Sequence, residues 1–394
     1  MDIKEELKII KENISDIISE VELLQKLKEA RREKRGLRVK YGADPSASDI
    51  HLGHTVPLRK LRQLQELGHE VIFLIGDFTA RIGDPSGVSK TRPPLTKEEV
   101  LKNAATYEKQ IFKILDKRKT EIVFNSKWCE DMRFSDVIKL ASHYTIARML
   151  ERDDFSMRFR KKEPISIHEF LYPLIQGYDS VILKADIEIG GTDQTFNFLL
   201  ARELQRDFGQ EPEVVIVLPI LEGTDGKQKM SKSLDNYIGI DEPPLEIYGK
   251  LMSIPDKILP RYYNLLLGIP LPEGSSPHEA KKRLAIEITS TYHGEEAGRE
   301  SEEEFHEIFV RKGLPDKIPE LVIKEKKIWL VELLLRAKFV SSRSEGRRLI
   351  SQGGVKLDNR VCTDPEADVQ VREGMILKAG KRRFAKIKME GDNG

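Results

Sequence analysis

His51 and His54 stand either side of Leu52 and Gly53 in the stretch IHLGH, and this spacing is compatible with three kinds of site. Two histidines three positions apart can bind zinc from one helix face, but no nearby Cys or His cluster supplies a third ligand. For either residue alone, an ordinary surface or core histidine is the favoured interpretation. A Gly-containing turn before a helix presents backbone N–H groups to anions. The position of the pair therefore favours phosphate binding over metal binding.

A second group of candidate residues is the segment KMSKS at 229–233, within LEGTDGKQKMSKSLDN. Gly223 and Gly226, together with the serines, indicate a mobile loop from which Lys229 and Lys232 project. A lysine-rich loop is usually only a solvated surface. Taken alone, the segment is a moderate indication of a polyphosphate site.

Short apolar strands alternate with helices around these residues. The predicted strands are RVKYGA (38–43), EVIFLIGD (70–77), EIVFN (121–125), DIEIGG (186–191) and VVIVLP (214–219). Predicted helices cover 54–67, 97–116, 135–151, 168–183 and 193–207, and the apolar spacing over 3–24 predicts one further amphipathic helix. This alternation predicts an α/β fold with a parallel, doubly wound sheet. Ligands bind such sheets at the carboxyl ends of the strands, where IHLGH, IGDP and GGTDQ lie.

Composition limits the classes of protein that remain. A chain of 394 residues with 39% hydrophobic and 33% charged residues is a multidomain globular protein. No apolar run reaches the roughly 20 residues of a membrane span. Its two cysteines form no CxxC motif, which favours a reducing cytoplasm. Residues 326–394 carry 16 Lys and Arg against 9 Asp and Glu, a net charge of +7, and the remainder carries −6.

HLGH and KMSKS together resemble the HIGH and KMSKS signatures of class I aminoacyl-tRNA synthetases. The resemblance implies a Rossmann-like catalytic domain that activates an amino acid with ATP, giving an aminoacyl-adenylate and pyrophosphate. Mg²⁺ would accompany ATP, and no tightly bound cofactor or protein-held metal is expected. In this chemistry the substrate carboxylate attacks the α-phosphorus, and donors stabilise the charge that builds on the leaving pyrophosphate. On this interpretation the histidines hold ATP.

Four stretches narrow the resemblance to the tyrosyl-tRNA synthetases: YGADPSASDIHLGH, IGDPSG, YPLIQGYD and GGTDQ. The resemblance implies that Tyr41 and Asp179 bind the phenolic hydroxyl of tyrosine. Tyr172, Gln176 and Asp84 would surround the α-ammonium. Tyr172, Gln176 and Asp179 are also spaced four and three apart, so a helix places them on one face. Gln194 would complete the tyrosine-binding set.

The remaining matches lie on the ATP side of the implied site. The ATP-binding set comprises Asp44, Ser46, Gly53, Gly191, Asp193, Lys229 and Lys232, with His51, His54 and the two lysines as catalytic residues. Relatives often carry a basic residue after the DPSG turn, whereas Val88 stands here. Either Lys90 or Arg92 would reach the phosphates instead.

The rest of the chain is expected to contact tRNA. Residues 1–235 form the predicted catalytic domain, with an insertion at about 126–160 as the dimer interface; 236–325 form an all-helical anticodon-binding domain. Residues 326–394 resemble the small α+β RNA-binding domain named after ribosomal protein S4, with the segment VSSRSEGRRLISQGGVKLDNRV as its hallmark. Arg343, Arg347 and Arg348 on its helix would bind tRNA. A homodimer acting on tyrosine, ATP and tyrosine tRNA, with no membrane association, is expected.

Three rival functions were weighed. A tryptophanyl-tRNA synthetase shares the signatures but is disfavoured by the Tyr41–Asp179 pair, which suits a phenol, and by the appended RNA-binding domain. Small nucleotidyltransferases use a related HxGH motif but lack KMSKS and the basic segment. A purely RNA-binding protein would not need both intact signatures.

Removal of residues 326–394 should separate two activities. We expect tyrosine-dependent exchange of pyrophosphate into ATP to persist, because every motif assigned to activation ends by Ser233. Charging of tRNA should fall strongly, since the remaining chain has a net charge of −6, and residual RNA binding should depend less steeply on salt. Exchange kinetics and tRNA charging over a salt series would test this. Full charging by the truncated protein would show that the basic segment is only a solvated surface.

Overall fold

The computed structural model describes residues 2–45, 49–84, 96–309, 318–358, 360–380 and 383–389. Ser46, Val88, Lys90 and Arg92, named above, lie outside these ranges. The chain divides into two compact units, Met1–Glu242 with Ser253–Leu284 and Pro243–Met252 with Ala285–Gly394.

The first unit contains one large sheet. Its strands are β1 (Asp16–Ile18), β2 (Arg38–Ala43), β3 (Glu70–Ile75), β4 (Thr120–Phe124), β5 (Ile187–Gly191) and β6 (Val214–Leu218). Across the sheet their order is β1-β6-β5-β2-β3-β4. The strands β2 to β6 run parallel, and β1 joins the β6 edge antiparallel. The predicted parallel, doubly wound sheet is confirmed, and its five predicted strands all form.

Helices connect these strands and cover the sheet. They are α1 (Ile3–Lys11), α2 (Glu20–Glu33), α3 (Leu52–Glu66), α4 (Lys97–Ile111), α5 (Ser126–Cys129), α6 (Phe134–Ser142), α7 (Ile146–Met149), α8 (Asp153–Arg160), α9 (Ile167–Leu183) and α10 (Thr195–Asp207). Ile72 and Leu74 of β3 pack against Leu183 of α9. Successive residues of a strand point to opposite faces, so Phe73 faces away from α9. The close approach of α9 to α10 needs Gly177, because a Cβ there would lie 2.8 Å from Leu200 Cδ2.

The single helix predicted over residues 3–24 is wrong. The structure has α1 and α2 with strand β1 between them. Asn13 has a positive φ of 54°, which no helix interior adopts, and Ser19 caps α2 by accepting a hydrogen bond from the Glu22 amide. An apolar residue at every third or fourth position does not reveal that Ile17 lies in a strand paired with β6. The helix predicted over 135–151 is likewise interrupted, as α6 and α7.

Downstream of the sheet, the chain is first helical and then mixed. The helices are α11 (Pro244–Met252), α12 (Leu259–Tyr262), α13 (Pro277–His293), α14 (Glu295–Phe309), α15 (Leu330–Arg336) and α16 (Arg343–Ser351). The strands are β7 (Glu320–Ile323), β8 (Lys327–Trp329), β9 (Val355–Leu357), β10 (Arg360–Cys362), β11 (Asp368–Gln370), β12 (Ile376–Ala379) and β13 (Arg383–Met389). Strands β10-β9-β12-β13-β7 form one sheet and β11-β8 a ribbon, packed with α15 and α16 around one apolar core. In the described ranges, no helix combines the length and apolar character needed to cross a bilayer.

Candidate active site

One cavity of about 810 Å³ opens at the carboxyl edge of the large sheet. Its walls come from the ends of β2, β3, β5 and β6 and from α3, α9 and the segment after β6. The cavity brings together every described residue of the predicted tyrosine and ATP sites: Tyr41, Asp44, His51, Gly53, His54, Asp84, Tyr172, Gln176, Asp179, Gly191, Asp193, Gln194, Lys229 and Lys232. Residues 165 positions apart in the chain, such as His54 and Pro219, therefore share one site.

The two histidines form a stacked pair at the start of α3. His51 is the N-cap, and its Nδ1 accepts a hydrogen bond from the Gly53 amide at 3.2 Å. His54 Nδ1 accepts from the amide of His51 at 3.3 Å. The ring centroids lie 3.8 Å apart, and a Cβ at position 53 would lie 3.0 Å from the His51 ring. Because Gly53 has no side chain, the His51 ring can lie this close to the backbone.

This geometry fixes the protonation of both rings. Burial, reinforced by the neighbouring ring and by Lys232, lowers the pKa of His51 well below its ordinary value. Burial, with a contribution from Lys232, lowers the pKa of His54 to about 4. Both imidazoles are therefore neutral near pH 7, and because each Nδ1 accepts a hydrogen bond, each proton resides on Nε2. The pair can donate two N–H groups to an anion without carrying charge.

Asp44 is the centre of one hydrogen-bond cluster in the cavity. Its carboxylate accepts from the Tyr172 hydroxyl at 2.9 Å and from the Thr79 hydroxyl at 2.7 Å. Burial raises the pKa of Asp44 to about 7, against the opposing effect of these two donors. A Cβ at Gly76 would lie 2.0 Å from Asp44 Oδ1, so only glycine permits this approach. A ligand cation placed here would favour the ionised carboxylate.

Asp84 belongs to a second cluster, which is built around a buried arginine. Arg152 donates to Asp84 at 3.0 Å, and Gln194 donates to the other oxygen at 3.1 Å. The Asn197 amide donates to the side-chain oxygens of Gln176 and Gln194, at 2.7 and 2.8 Å. The predicted residues Asp84, Gln176 and Gln194 are thus held in one network. Arg152 and Asn197, which complete it, were missed by the sequence analysis.

Asp179 lines the cavity and is buried. Its carboxylate accepts from Trp128 Nε1 at 2.9 Å and from Asn125 Nδ2 at 3.3 Å. Burial raises the pKa of Asp179 to about 7, and the positive charge of Lys40 opposes that rise. Asn125 directly follows the carboxyl end of β4, where the fold collects ligand-binding residues, and that position was the signal available in the sequence.

Tyr41 and Asp179 line the cavity from different elements, β2 and α9. In the sheet, Tyr41 pairs with Phe73, and their rings lie 5.5 Å apart. Phe73 faces away from α9, so Tyr41 does too, whereas Asp179 projects from α9. The residue of β2 on the α9 face is Lys40, whose ammonium donates to Ser180 on that helix. Both residues line the cavity, so the expectation that each binds the phenolic hydroxyl of a substrate stays a prediction.

The lysine-rich segment closes another side of the cavity. Lys229 pairs with Asp193 at 3.1 Å, and Lys232 pairs with Asp49 at 2.8 Å. The buried Asn236 side chain accepts from the Ser231 amide and donates to the Lys229 carbonyl. Asn236 therefore holds the backbone between the two lysines. These two ion pairs hold both ammonium groups at the cavity. An anionic ligand would compete with the two carboxylates for them.

Arg343, Arg347 and Arg348 lie on α16 in the second unit and are exposed. Ser342 caps this helix by accepting from the Glu345 amide. Arg347 also pairs with Glu366 at 3.0 Å, and its guanidinium lies 5.2 Å from the centre of the Trp329 ring. These contacts orient Arg347 before any ligand binds.

Comparison with known proteins identifies two regions of the chain. Residues 32–310 match the family model of tRNA synthetases class I (W and Y), and residues 328–376 match the S4 domain. A tyrosine--tRNA ligase of Moorella thermoacetica is 53% identical over 98% of this chain and 96% of its own length. A tyrosine--tRNA ligase of Carboxydothermus hydrogenoformans is 54% identical over 99% of both chains.

Among solved structures, the tyrosyl-tRNA synthetase of Archaeoglobus fulgidus complexed with L-tyrosine is similar to this chain. The two are 28% identical, with a TM-score of 0.60 over 76% of this chain and 100% of that one. The likeness supports a class I synthetase fold.

The contacts of Asn236 predict that Asn236→Ala loosens the lysine-rich segment. Two hydrogen bonds are lost, each worth about 1 kcal/mol net, so amides 229–233 should exchange with deuterium about tenfold faster or more. Hydrogen exchange followed by mass spectrometry measures this. Asn103→Ala, which removes one side-chain hydrogen bond to Pro45, is the control and should leave these amides unchanged. Equal acceleration throughout the first unit would indicate general destabilisation instead.

Proposed function

Because the chain belongs to the class I tRNA synthetases (W and Y), we propose that it is a tyrosine--tRNA ligase. It activates L-tyrosine with ATP to tyrosyl-adenylate and pyrophosphate, and then transfers tyrosine to the 3′ end of tyrosine tRNA. The observation that carries this proposal is the composition of one cavity. Buried carboxylates lie on its α9 side, and two neutral histidines and two lysines lie on its other walls.

Asp179 is the proposed reader of the phenolic hydroxyl. Its two donors, Asn125 and Trp128, fix the carboxylate and leave it further lone pairs for a third donor, the hydroxyl of the substrate. Tyr41, which also lines the cavity, stays a prediction as a second reader of the hydroxyl. A hydrogen-bond acceptor at this position favours tyrosine, whose side chain ends in a hydroxyl. Tryptophan, the other amino acid of the family model, has no hydroxyl there.

Asp44, Tyr172, Gln176 and Asp84 are proposed to surround the amino acid's α-ammonium. Asp84 is already balanced by Arg152, whereas Asp44 accepts from two neutral hydroxyls. Asp44 is therefore the carboxylate whose charge the ammonium would best compensate. Gln194, tied to Asp84 and Asn197, is placed to orient the substrate carboxylate beside them.

On the ATP side, the substrate carboxylate attacks the α-phosphorus and pyrophosphate leaves. His51 and His54 would donate their Nε2–H groups to phosphate oxygens, with Gly53 beside them; Ser46, also predicted to bind ATP, lies outside the described residues. Lys229 and Lys232 would exchange Asp193 and Asp49 for the pyrophosphate as its charge develops. Asp193, released from Lys229, would then accept from the ribose, which Gly191 allows close to the strand end. Interactions that strengthen as charge moves to the leaving group raise the rate rather than the affinity.

Mg²⁺ is proposed to enter bound to the phosphates of ATP. Across the described ranges, no group of three or more His, Cys, Asp or Glu is placed to hold a metal ion. Mg²⁺ usually keeps several waters and binds through substrate phosphates, so this arrangement is sufficient. The ion would add to the charge stabilisation that the lysines provide.

The second unit is proposed to contact tRNA. Residues 326–394 would bind RNA through Arg343, Arg347 and Arg348, and the helical segment within 236–325 would hold the anticodon region. Exposed arginines on one helix suit phosphate contacts, which give affinity with little base preference. Charging of tRNA serves translation, so we place the protein in the cytoplasm.

A second copy of the chain is the proposed partner of an apolar surface on α6 to α9. Its exposed side chains are Phe134, Ile138, Ile146, Met157, Phe159 and Ile167. Phe134 is 80% and Ile167 82% exposed. A globular protein rarely exposes six large apolar side chains in one stretch of the chain. Arg152, between α7 and α8, reaches from this surface to Asp84 in the cavity. The homodimer would therefore be connected directly to the active site.

Asp179→Asn tests the proposed function. The variant keeps the shape but loses a charged acceptor, so kcat/KM for tyrosine in pyrophosphate exchange should fall roughly 10- to 150-fold. Preference for tyrosine over phenylalanine should shrink, because a site built to hydrogen-bond a hydroxyl rejects the analogue that lacks it; tyrosyl-tRNA synthetases are the usual example of this rule. Asp186→Asn, a buried carboxylate at the other end of β5, should keep wild-type preference. Unchanged preference in Asp179→Asn would contradict the assignment.

Ile138→Glu tests the homodimer. A charge within the apolar surface should convert the protein to a monomer in sedimentation velocity experiments, because burying an unpaired carboxylate costs several kcal/mol. Val21→Glu places the same charge on α2, at a side chain that is 77% exposed, and should leave the mass unchanged. A wild-type protein that sediments as a monomer would rule out the proposed interface.

A further inference from the structure

Lys40 is a charged residue in the middle of the buried strand β2, and its side chain is 0% exposed. Its ammonium donates to the carbonyl of Gln176 at 3.1 Å, to the Ser180 hydroxyl at 2.7 Å and to Glu188 at 2.8 Å. These three acceptors match the three N–H groups of an ammonium. Lys40 is therefore fully engaged within the protein and does not offer a donor to substrate.

The partners of Lys40 bracket Asp179 on α9. Gln176 and Ser180 are four residues apart, one helical turn, and Asp179 lies between them. Glu188 is the register partner of Lys40 on β5. Lys40 thus joins three elements, β2, β5 and α9. Its two contacts on α9 flank the residue proposed to read the phenolic hydroxyl.

The electrostatic interactions of Lys40 also connect it to Glu188 and Asp179. Burial lowers the pKa of Lys40, but Glu188, Glu213 and Asp179 together raise it above its ordinary value, so the ammonium stays charged. Burial, followed by the adjacent Glu188, raises the pKa of Glu213 well above its ordinary value. Lys40 also opposes the effect of burial on Asp179. Without Lys40, a buried Asp179 would be protonated more readily.

We propose that Lys40 is a positioning residue for recognition of the substrate side chain. It anchors the turn of α9 that carries Gln176 and Asp179, and it supplies the positive charge that faces the Asp179 carboxylate. This inference rests on the proposed function, because it assigns Asp179 to the phenolic hydroxyl. It also gives the α9 face of β2 a role in specificity, in addition to the contact predicted for Tyr41.

The competing explanation is that the Lys40–Glu188 pair only maintains the fold. Removing one member of a buried ion pair destabilises a protein strongly, whereas replacing both by neutral groups of similar size is often tolerated. The double variant Lys40→Met/Glu188→Gln therefore removes the ammonium together with the carboxylate that pairs with it. It separates a loss of positioning from a loss of stability.

The experiment measures pyrophosphate exchange by the full-length protein with tyrosine and with phenylalanine, alongside the unfolding temperature. In the double variant we expect KM for tyrosine to rise about tenfold or more, with a matching fall in the preference over phenylalanine. The KM for ATP should not change, since the histidines and lysines are untouched. Lys40→Met alone should show the same specificity defect together with a lower unfolding temperature.

Lys60→Met is the matched control, because Lys60 is also buried and donates to the carbonyls of Ile9 and Glu12, away from the cavity. It should lower stability and keep the wild-type preference. An equal loss of preference in Lys60→Met, or wild-type preference in a folded double variant, would overturn the inference and leave the proposed function standing. A wild-type protein without tyrosine-dependent exchange would overturn both.

Discussion

The parallel alignment of β2 to β6 is the constraint on which the active site depends. Parallel strands present all their carboxyl ends at one edge, so the loops that follow β2, β3, β5 and β6 must meet there. The cavity is therefore a consequence of the sheet topology, and contacts between distant residues such as Lys232 and Asp49 close its sides. Glycines at this edge let side chains approach the backbone: Gly76 admits the Asp44 carboxylate and Gly53 admits the His51 ring.

Chemical polarity divides the cavity in two. The α9 side holds carboxylates whose pKa burial raises, such as Asp44 and Asp179, and each is held by neutral donors. The opposite walls carry the neutral histidine pair and the lysine-rich segment. A zwitterionic amino acid with a polar side chain suits the first region and a polyphosphate suits the second. The substrate carboxylate and the α-phosphate of ATP would meet at the boundary between these two regions. Both groups are negatively charged and would repel each other without the donors around them.

Local pattern determined most of what could be predicted from the sequence. The five parallel strands follow from apolar runs, and the described residues of the tyrosine and ATP motifs line one cavity. Lys40 and Glu188 were missed because their pairing depends on β2 and β5 being neighbours, which strand order alone decides. A lysine inside RVKYGA and a glutamate inside DIEIGG were nonetheless visible as charges in strands expected to be buried. Strand alternation puts adjacent residues 40 and 41 on opposite faces, so Lys40 rather than Tyr41 meets α9.

The side chains in the two halves of the site also differ in how firmly they are held. This difference suits the roles proposed for the two halves. Asp44, Asp84 and Asp179 are fixed by hydrogen bonds from side chains on helices and strand ends, so the amino-acid pocket is preformed. Lys229 and Lys232 stand on a segment held by Asn236 and by ion pairs that are 34–45% exposed on the carboxylate side. Exposed ion pairs are worth little, so a developing pyrophosphate can displace them at small cost. On the proposed function, the rigid groups would discriminate between amino acids in the ground state, whereas the exchangeable lysines would stabilise charge that exists only as the bond to pyrophosphate breaks.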